Sequence, residues 1–386
     1  MITRFEFTTA SQIVFGPGVL REAGQLVRPW GTRTLVVTGS NPARAEYLIK
    51  VLVSVGIDVT LFTVAHEPSV DTVVQGLAAV KAARAEIVIG FGGGSVIDTA
   101  KAVAGLATNR GNPLDYLELV GKGKPLTTPA LPWMAIPTTA GTGAEVTRNA
   151  VLGVPERRVK VSLRSPHLLA KVALIDPELT LDLPLPVTAS TGMDALTQLI
   201  EAYVCNRPHP MVDVLCASGI PLAAQALDFV WSDSRDLAAR TDLAQAALWS
   251  GMALANAGLG AVHGLAGPIG GMFAAPHGMV CAALLAPVMS ANIEALRVRA
   301  PEHRALLRYG RIAGWLTERA RATPEAGVRH IQSLTARLQV PKLSAFGITQ
   351  KDFPEIIAQA QQASSMKANP LVLTPAELDA VLKQST

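Results

Sequence analysis

Asp194 and Gln198 lie four residues apart in the apolar run 191–204 (TGMDALTQLIEAYV), and Glu201 follows three residues later. That spacing puts all three on one face of a helix. A helix beginning near residue 191 would set the Asp194 charge close to its positive N-terminus. His263 falls in a small-residue helical run, 259–266, and His277 follows Pro276 at the start of another helical pattern. A histidine among apolar residues is ordinarily a hydrogen-bonded core residue. Two of them in a nearly charge-free stretch, with a carboxylate on an apolar helix, are costly to bury, and a shared ion offsets that cost. One carboxylate and two imidazoles suit Zn2+ or Fe2+ and leave positions for a substrate oxygen. Asp194, His263 and His277 are therefore expected to converge on one ion, with Gln198 facing it.

A second constellation is built from small residues. The apolar run 86–90 (EIVIG) leads into Phe91-Gly92-Gly93-Gly94-Ser95 and then a helical pattern from Val96. Consecutive glycines allow a tight turn and close backbone approach, and N–H groups at a helix start favour a pyrophosphate. No Gly-Lys-Ser/Thr follows, so it is not a P-loop. Ser95 stands where the usual dinucleotide fingerprint wants a third glycine. A second loop, Pro137-Thr138-Thr139-Ala140-Gly141-Thr142-Gly143-Ala144-Glu145, follows another strand-like run. Together the two loops suggest a dinucleotide lying across the carboxyl ends of parallel strands.

These groups need a scaffold, and the patterning describes one. Short β-branched runs at 34–38, 58–64, 86–90, 134–137 and 172–176 alternate with helical patterns at 45–55, 70–83 and 95–106. Such alternation implies an α/β domain with a mostly parallel sheet. The stretch 182–186, with Pro184 and Pro186, reads as a linker. Helical patterns then dominate: 189–204, 211–230, 237–257, 280–300, 305–321 and 325–339. The expected organisation is a dinucleotide-binding α/β domain over 1–183 and an all-helical metal and substrate domain over 184–386. In 386 residues, 17% are charged and the net charge is +4, which argues against disorder and against nucleic-acid binding. The basic run 297–321 carries an apolar stripe of Leu306, Leu307, Ile312, Trp315 and Leu316, so its arginines read as the wet side of an amphipathic helix. Cys205, Cys216 and Cys281 form no CxxC pair, and neither a disulfide framework nor a thiolate zinc site is expected. Asn256, His263, Pro268, Pro276 and His277 interrupt the apolar stretch 246–289, which is read as buried helices with no membrane span. The N-terminus has no signal-peptide pattern, and a cytoplasmic protein is expected.

Taken together the motifs resemble the iron-containing (group III) alcohol dehydrogenase family, whose fold is shared with dehydroquinate synthase. They are Gly92-Gly93-Gly94-Ser95-x-x-Asp98-x-x-Lys101, Pro137 to Thr147 (PTTAGTGAEVT), Ile175-Asp176-Pro177-Glu178-Leu179, Gly192-Met193-Asp194-Ala195-Leu196-Thr197 and Pro276-His277-Gly278. The resemblance runs along nearly the whole chain and weakens after about residue 300. It implies an N-terminal α/β nucleotide domain, a C-terminal helical domain and a site in the cleft between them. It also implies a divalent ion held by Asp194, His263 and His277, with Gln198 where the family has a histidine ligand. Gly267 stands where the family often has a further histidine, which widens the pocket or removes a proton relay. The cofactor-binding positions it implies are Gly39, Ser40, Asn41, Gly92, Gly93, Gly94, Ser95, Asp98, Thr138, Thr139, Thr142 and Lys160. No acidic residue follows the first strand at Gly39-Ser40-Asn41-Pro42, and Arg44 lies close by, so NADP as well as NAD is accommodated.

The implied reaction is NAD(P)-dependent, metal-assisted interconversion of a small alcohol and its aldehyde or ketone, with Asp194, His263, His277 and Lys160 as catalytic residues. A homodimer is expected. Three alternatives stand beside it: a maleylacetate reductase-like reduction of an activated double bond, a dehydroquinate synthase-like lyase, and a non-catalytic nucleotide-binding protein. The lyase would need a basic pocket for a phosphorylated substrate, and no Lys/Arg set surrounds 263–277.

Overall fold

The computed structural model describes residues 4–118, 120–157 and 159–386. They form two compact units. One, the sheet unit, comprises Thr9–Thr139 and Gly143–Leu181. The other, the helical unit, comprises residues 4–8, Ala140–Thr142 and Asp182–Thr386.

The sheet unit holds strands β1 (Gln12–Phe15), β2 (Arg33–Thr38), β3 (Asp58–Thr63), β4 (Ile87–Gly92), β5 (Trp133–Pro137), β6 (Asn149–Val154), β7 (Val159–Arg164) and β8 (Val172–Ile175). Its helices are α1 (Ala23–Val27), α2 (Glu46–Ser54), α3 (Val70–Ala83) and α4 (Gly94–Ala107). Six strands form one parallel sheet in the order β1-β8-β5-β4-β2-β3. Strands β4, β5 and β8 are buried along their whole length, as continuous apolar runs covered on both faces must be. Val36, Ile89, Phe91, Met134, Ile136 and Leu174 pack on one face against Val27, Leu48 and Leu52. Ser69 opens α3 with a capping box, its hydroxyl accepting from Thr72 N and Thr72 Oγ1 accepting from Ser69 N.

The connection from β2 runs outward to β3, whereas that from β4 runs the other way to β5. The loops leaving the carboxyl ends of β2 and β4 therefore diverge, which is the topological switch point where open parallel sheets bind ligands. Thr38 and Phe91 are register partners at that point. The sequence patterning did not reveal β1 or the antiparallel hairpin β6–β7.

The helical unit contains α5 (Leu185–Val204), α6 (Pro210–Ser232), α7 (Leu237–Asn256), α8 (Ala261–Met272), α9 (His277–Arg299), α10 (Arg304–Thr317), α11 (Pro324–Arg337), α12 (Phe353–Gln362) and α13 (Pro375–Ser385). Central α5 packs against α6, α7 and α9. Two expectations are corrected. Pro184 is the N-cap of α5 and Pro186 lies in its first turn, so the stretch read as a linker follows the Leu181/Asp182 boundary between the units and runs directly into the helix. Asp194 consequently lies in the middle of α5, too far from its N-terminus for the helix dipole to act on it. In α10 the buried stripe is Ala305, Tyr309, Ile312, Ala313 and Leu316, while Leu307 points to solvent. By length and hydropathy α6 and α9 could each cross a bilayer, but 72% of the apolar window of α9 is buried against the rest of the protein.

Candidate metal centre and dinucleotide loops

Three helices bring the expected donors together. Asp194 comes from α5, His263 from the first turn of α8 and His277 from the first residue of α9. His263 Nε2 lies 3.2 Å from Asp194 Oδ1, and His277 Nε2 lies 3.8 Å from the same oxygen. Asp194 and His263 are buried and His277 is about one-third exposed. Cys281, one turn beyond His277, joins them: its Sγ is 3.6 Å from His277 Nε2 and 3.9 Å from His263 Nε2. One donor atom from each of these four residues lies within 4.8 Å of every other. Sequence reasoning missed Cys281 because it looked for CxxC pairs. The His277–Cys281 spacing of four, the rule that singled out Asp194 and Gln198, would have found it.

Glu201 explains the orientation of His263. Its carboxylate accepts from Val262 N at 2.7 Å, satisfying a backbone donor left over at the start of α8, while Asn369 Oδ1 accepts from Ala261 N. The other oxygen of Glu201 accepts from His263 Nδ1 at 2.6 Å. Held at Nδ1 by Glu201, the His263 ring turns Nε2 towards Asp194, the orientation that a metal-binding histidine needs.

The electrostatics are those of a cluster sharing protons. Burial opposes the charge of Asp194, but the His263 hydrogen bond and the nearby imidazoles outweigh it and hold the carboxyl below its ordinary range. Burial likewise opposes the Cys281 thiolate, and His277 and His263 outweigh it, so that thiol is also lowered. Burial works against a charged His263, yet Cys281, Asp194 and Glu201 raise it well above an ordinary imidazole. Gln198 is 2% exposed and its Oε1 has no hydrogen-bond partner. An unpartnered buried amide oxygen one turn from Asp194 on the same helix is left wanting a polar partner.

The glycine loop lies at the carboxyl end of β4. Gly93 is the extended N-cap of α4, and the helix begins at Gly94. A Cβ at Gly92 would lie 2.6 Å from Val96 Cγ2, so only glycine lets the chain turn this tightly into the helix. Thr138 N donates to Gly92 O at 3.0 Å and Thr139 flanks Gly93, placing the second loop beside the first. Gly39, Ser40 and Asn41 leave β2 at the switch point, and Asn41 Oδ1 accepts from Ala43 N to cap the turn that follows. This arrangement fits a dinucleotide pyrophosphate on the free N–H groups of α4. Thr142 is counted with the helical unit, where Ser250 Oγ donates to the neighbouring Gly141 O.

Asp98 and Lys101 sit deeper. Asp98 Oδ2 accepts from Val151 N at 3.0 Å, and burial raises its carboxyl. Lys101 is fully buried; its ammonium donates to Ala144 O, Thr147 Oγ1 and Asn149 O at 2.7–2.8 Å, and burial lowers it. Lys160 lies on β7 and pairs with Glu67 at 2.5 Å.

Two family models match the chain. "Iron-containing alcohol dehydrogenase" covers residues 10–177, and "Fe-containing alcohol dehydrogenase family, C-terminal" covers 188–386. The chain belongs to the iron-containing alcohol dehydrogenase family. Alcohol dehydrogenase 4 of Saccharomyces cerevisiae is 33% identical over 377 residues, 96% of each chain. The NAD-dependent methanol dehydrogenase of Bacillus methanolicus is 30% identical over the full length of both. The crystal structure of a 1,3-propanediol oxidoreductase superposes with a TM-score of 0.92 at 31% identity, covering 99% of this chain and 100% of that one. This iron-containing alcohol dehydrogenase departs from the expected pattern at Gln198 and at Gly267, where a Cβ would meet nothing within 4 Å.

Proposed function

We propose that this alcohol dehydrogenase interconverts short-chain primary alcohols and their aldehydes, with Asp194, His263 and His277 holding the divalent ion and the 92–95 and 138–142 loops holding NAD or NADP. The chain is an NAD(P)-dependent alcohol oxidoreductase using a divalent metal; the residue assignments and the substrate size are the proposal. The observation that carries it is the convergence of four donor atoms within 4.8 Å of one another. When bound there, a divalent ion supplies Lewis-acid polarisation of the substrate oxygen.

The chain's own residues do the rest. Glu201 holds the His263 ring at Nδ1 and so keeps Nε2 turned towards the site. The short apolar side chains of α8 and the open space at Gly267 leave room for the carbon chain of the substrate. The backbone at Gly93–Ser95 binds the pyrophosphate, and Thr138 and Thr139 flank it. Lys160, tied to Glu67, is proposed to contact the cofactor. Three unpaired cysteines suit a reducing cytoplasm, and a homodimer is the proposed working state.

The test is to follow reduced-nicotinamide absorbance with metal-loaded protein, both cofactors and a series of alcohols and aldehydes of increasing length. Turnover should appear with short primary alcohols and vanish in Asp194→Asn. Turnover only with unsaturated acids, or none with any alcohol, would overturn the proposal.

A further inference from the structure

The metal-centre reading leaves the fourth donor unassigned. Gln198 offers an amide oxygen, a poor ligand beside imidazole. Cys281 offers sulfur, and its placement differs from that of the other two cysteines. The Sγ of Cys205 contacts the Arg207 carbonyl, and Cys216 is buried on α6. Both fit the ordinary role of a buried thiol as a small apolar side chain. Among the described residues Cys281 is the one cysteine with two imidazole nitrogens within 4 Å.

The separations can be compared with what an ion demands. Zn–N and Zn–O bonds of about 2.05 Å and a Zn–S bond of about 2.3 Å at tetrahedral angles place N/O donors about 3.3 Å apart and S and N about 3.6 Å apart. The observed pairs are 3.2 and 3.8 Å from Asp194 to the two imidazoles, and 3.6 and 3.9 Å from the sulfur to them. These four separations lie within about half an ångström of those values, and all four donors lie within 4.8 Å of one another. His277 and Cys281 share one face of α9, and α9 packs against α5, which carries Asp194.

We propose that Cys281 is a thiolate ligand of the same ion, completing a carboxylate–imidazole–imidazole–thiolate set that favours Zn2+ over Fe2+. On binding, the S–H bond breaks, the proton leaves to solvent and a sulfur–metal bond forms. Thiolate selects the softer borderline ion, so the chain holds a zinc-type centre inside a family described by its iron. Gln198 then needs no metal bond, and its carbonyl is free to accept a hydrogen bond from whatever occupies the open side of the site.

The inference rests on the proposed metal centre, and Co2+ separates the two. Metal-free protein is titrated with Co2+ and followed spectroscopically, with Asp194→Asn, Cys281→Ala, Cys281→Ser and Gln198→Ala alongside and circular dichroism as the folding control. The wild type should show visible bands of a low-coordinate cobalt site together with a near-ultraviolet sulfur-to-cobalt charge-transfer band. Gln198→Ala should keep that band. Both Cys281 variants should lose it and bind Co2+ at least tenfold more weakly. Wild-type protein with the visible bands but no charge-transfer band would overturn the thiolate ligand and leave the metal centre standing. That outcome needs no variant to fold. Stoichiometric Co2+ binding unaffected by Asp194→Asn, or no binding at all, would overturn both.

Discussion

Gly278→Ala should weaken the metal centre through a single methyl group. Gly278 follows His277, and Ser190 lies one turn before Asp194. A Cβ at Gly278 would stand 2.1 Å from the Ser190 carbonyl oxygen, 2.7 Å from its carbon and 2.8 Å from Ser190 Oγ. Ordinary contact begins at 3.4 Å, so the start of α9 must retreat from α5 by roughly 1.3 Å. Two of the three contacts are with backbone inside a helix, so no side-chain rotation relieves them. Overpacking of this kind costs about 1–3 kcal/mol of stability. The effect on metal binding is larger in proportion, because ligand distances tolerate only about 0.2 Å. His277 rides on the displaced turn, whereas Asp194 and His263 stay with Glu201. Losing one ligand should lower Zn2+ affinity by at least about the 10–100-fold seen when supporting groups are removed. The assay is competition with a chromophoric chelator, with urea unfolding in parallel. Gly267→Ala is the control: its Cβ meets nothing within 4 Å, and it should leave metal affinity unchanged. A Gly278→Ala protein with wild-type affinity and an unshifted unfolding midpoint would refute the claim that this helix contact sets the ligand spacing.

Other perturbations have equally definite outcomes. Glu201→Gln removes the charge that fixes His263, and metal affinity in the same competition assay should fall about 10–100-fold with helical content retained; no change would leave Glu201 a mere cap for α8. Gly94→Val puts a branched side chain at the first helical residue of the pyrophosphate cradle, so NADH binding followed by fluorescence should be lost while circular dichroism is unchanged. Tight binding by that variant would place the cofactor elsewhere. Glu145 is pushed by burial from 4.5 to about 7. Between those values the folded chain holds a proton that the unfolded chain has released, so this contribution is full below about pH 4.5 and lost as pH rises through about 7. It amounts to about 3 kcal/mol at most. Urea midpoints at about pH 5 and about pH 8 should draw closer in Glu145→Gln than in the wild type, and an identical difference would show that the carboxyl does not titrate in this range.

Much of the scaffold could be read from residue types because buried parallel strands are short β-branched runs, as in TLVVT before Gly39 and EIVIG before Gly92. The α3 boundaries were equally legible, since Val73, Val74, Leu77, Val80 and Ala83 fall at helical spacing. The four-residue β1 carries too little pattern to separate it from loop. The β6–β7 hairpin lacks the Asn-Gly or Gly-rich turn that announces one, with Pro155-Glu156-Arg157 leading into its turn instead. At α5 the prolines misled: Pro184 and Pro186 look like a linker in one dimension but are the cap and first turn of the helix. The helix starts at Leu185, ahead of the 189–191 start expected from the pattern, which removes the supposed dipole effect on Asp194. Asp194, His263 and His277 could be picked out because each is costly to bury alone. Cys281 could not, because an isolated cysteine is comfortable in any core and its chemistry shows only when two imidazoles stand beside it.

The buried ammonium of Lys101 has a thermodynamic consequence for ligand capture. It sits on the helix that begins with the glycine turn, and its three hydrogen bonds hold the backbone just beyond the threonine loop. Both walls of the proposed pyrophosphate site are thus fixed to each other before any nucleotide arrives. A dinucleotide is a floppy molecule and loses much of its own freedom on binding. A binding surface that is already ordered adds little to that entropic loss, which is the advantage of preorganisation. These two loops should therefore have the same backbone course with and without cofactor, and nucleotide association should be limited by encounter and not by loop rearrangement.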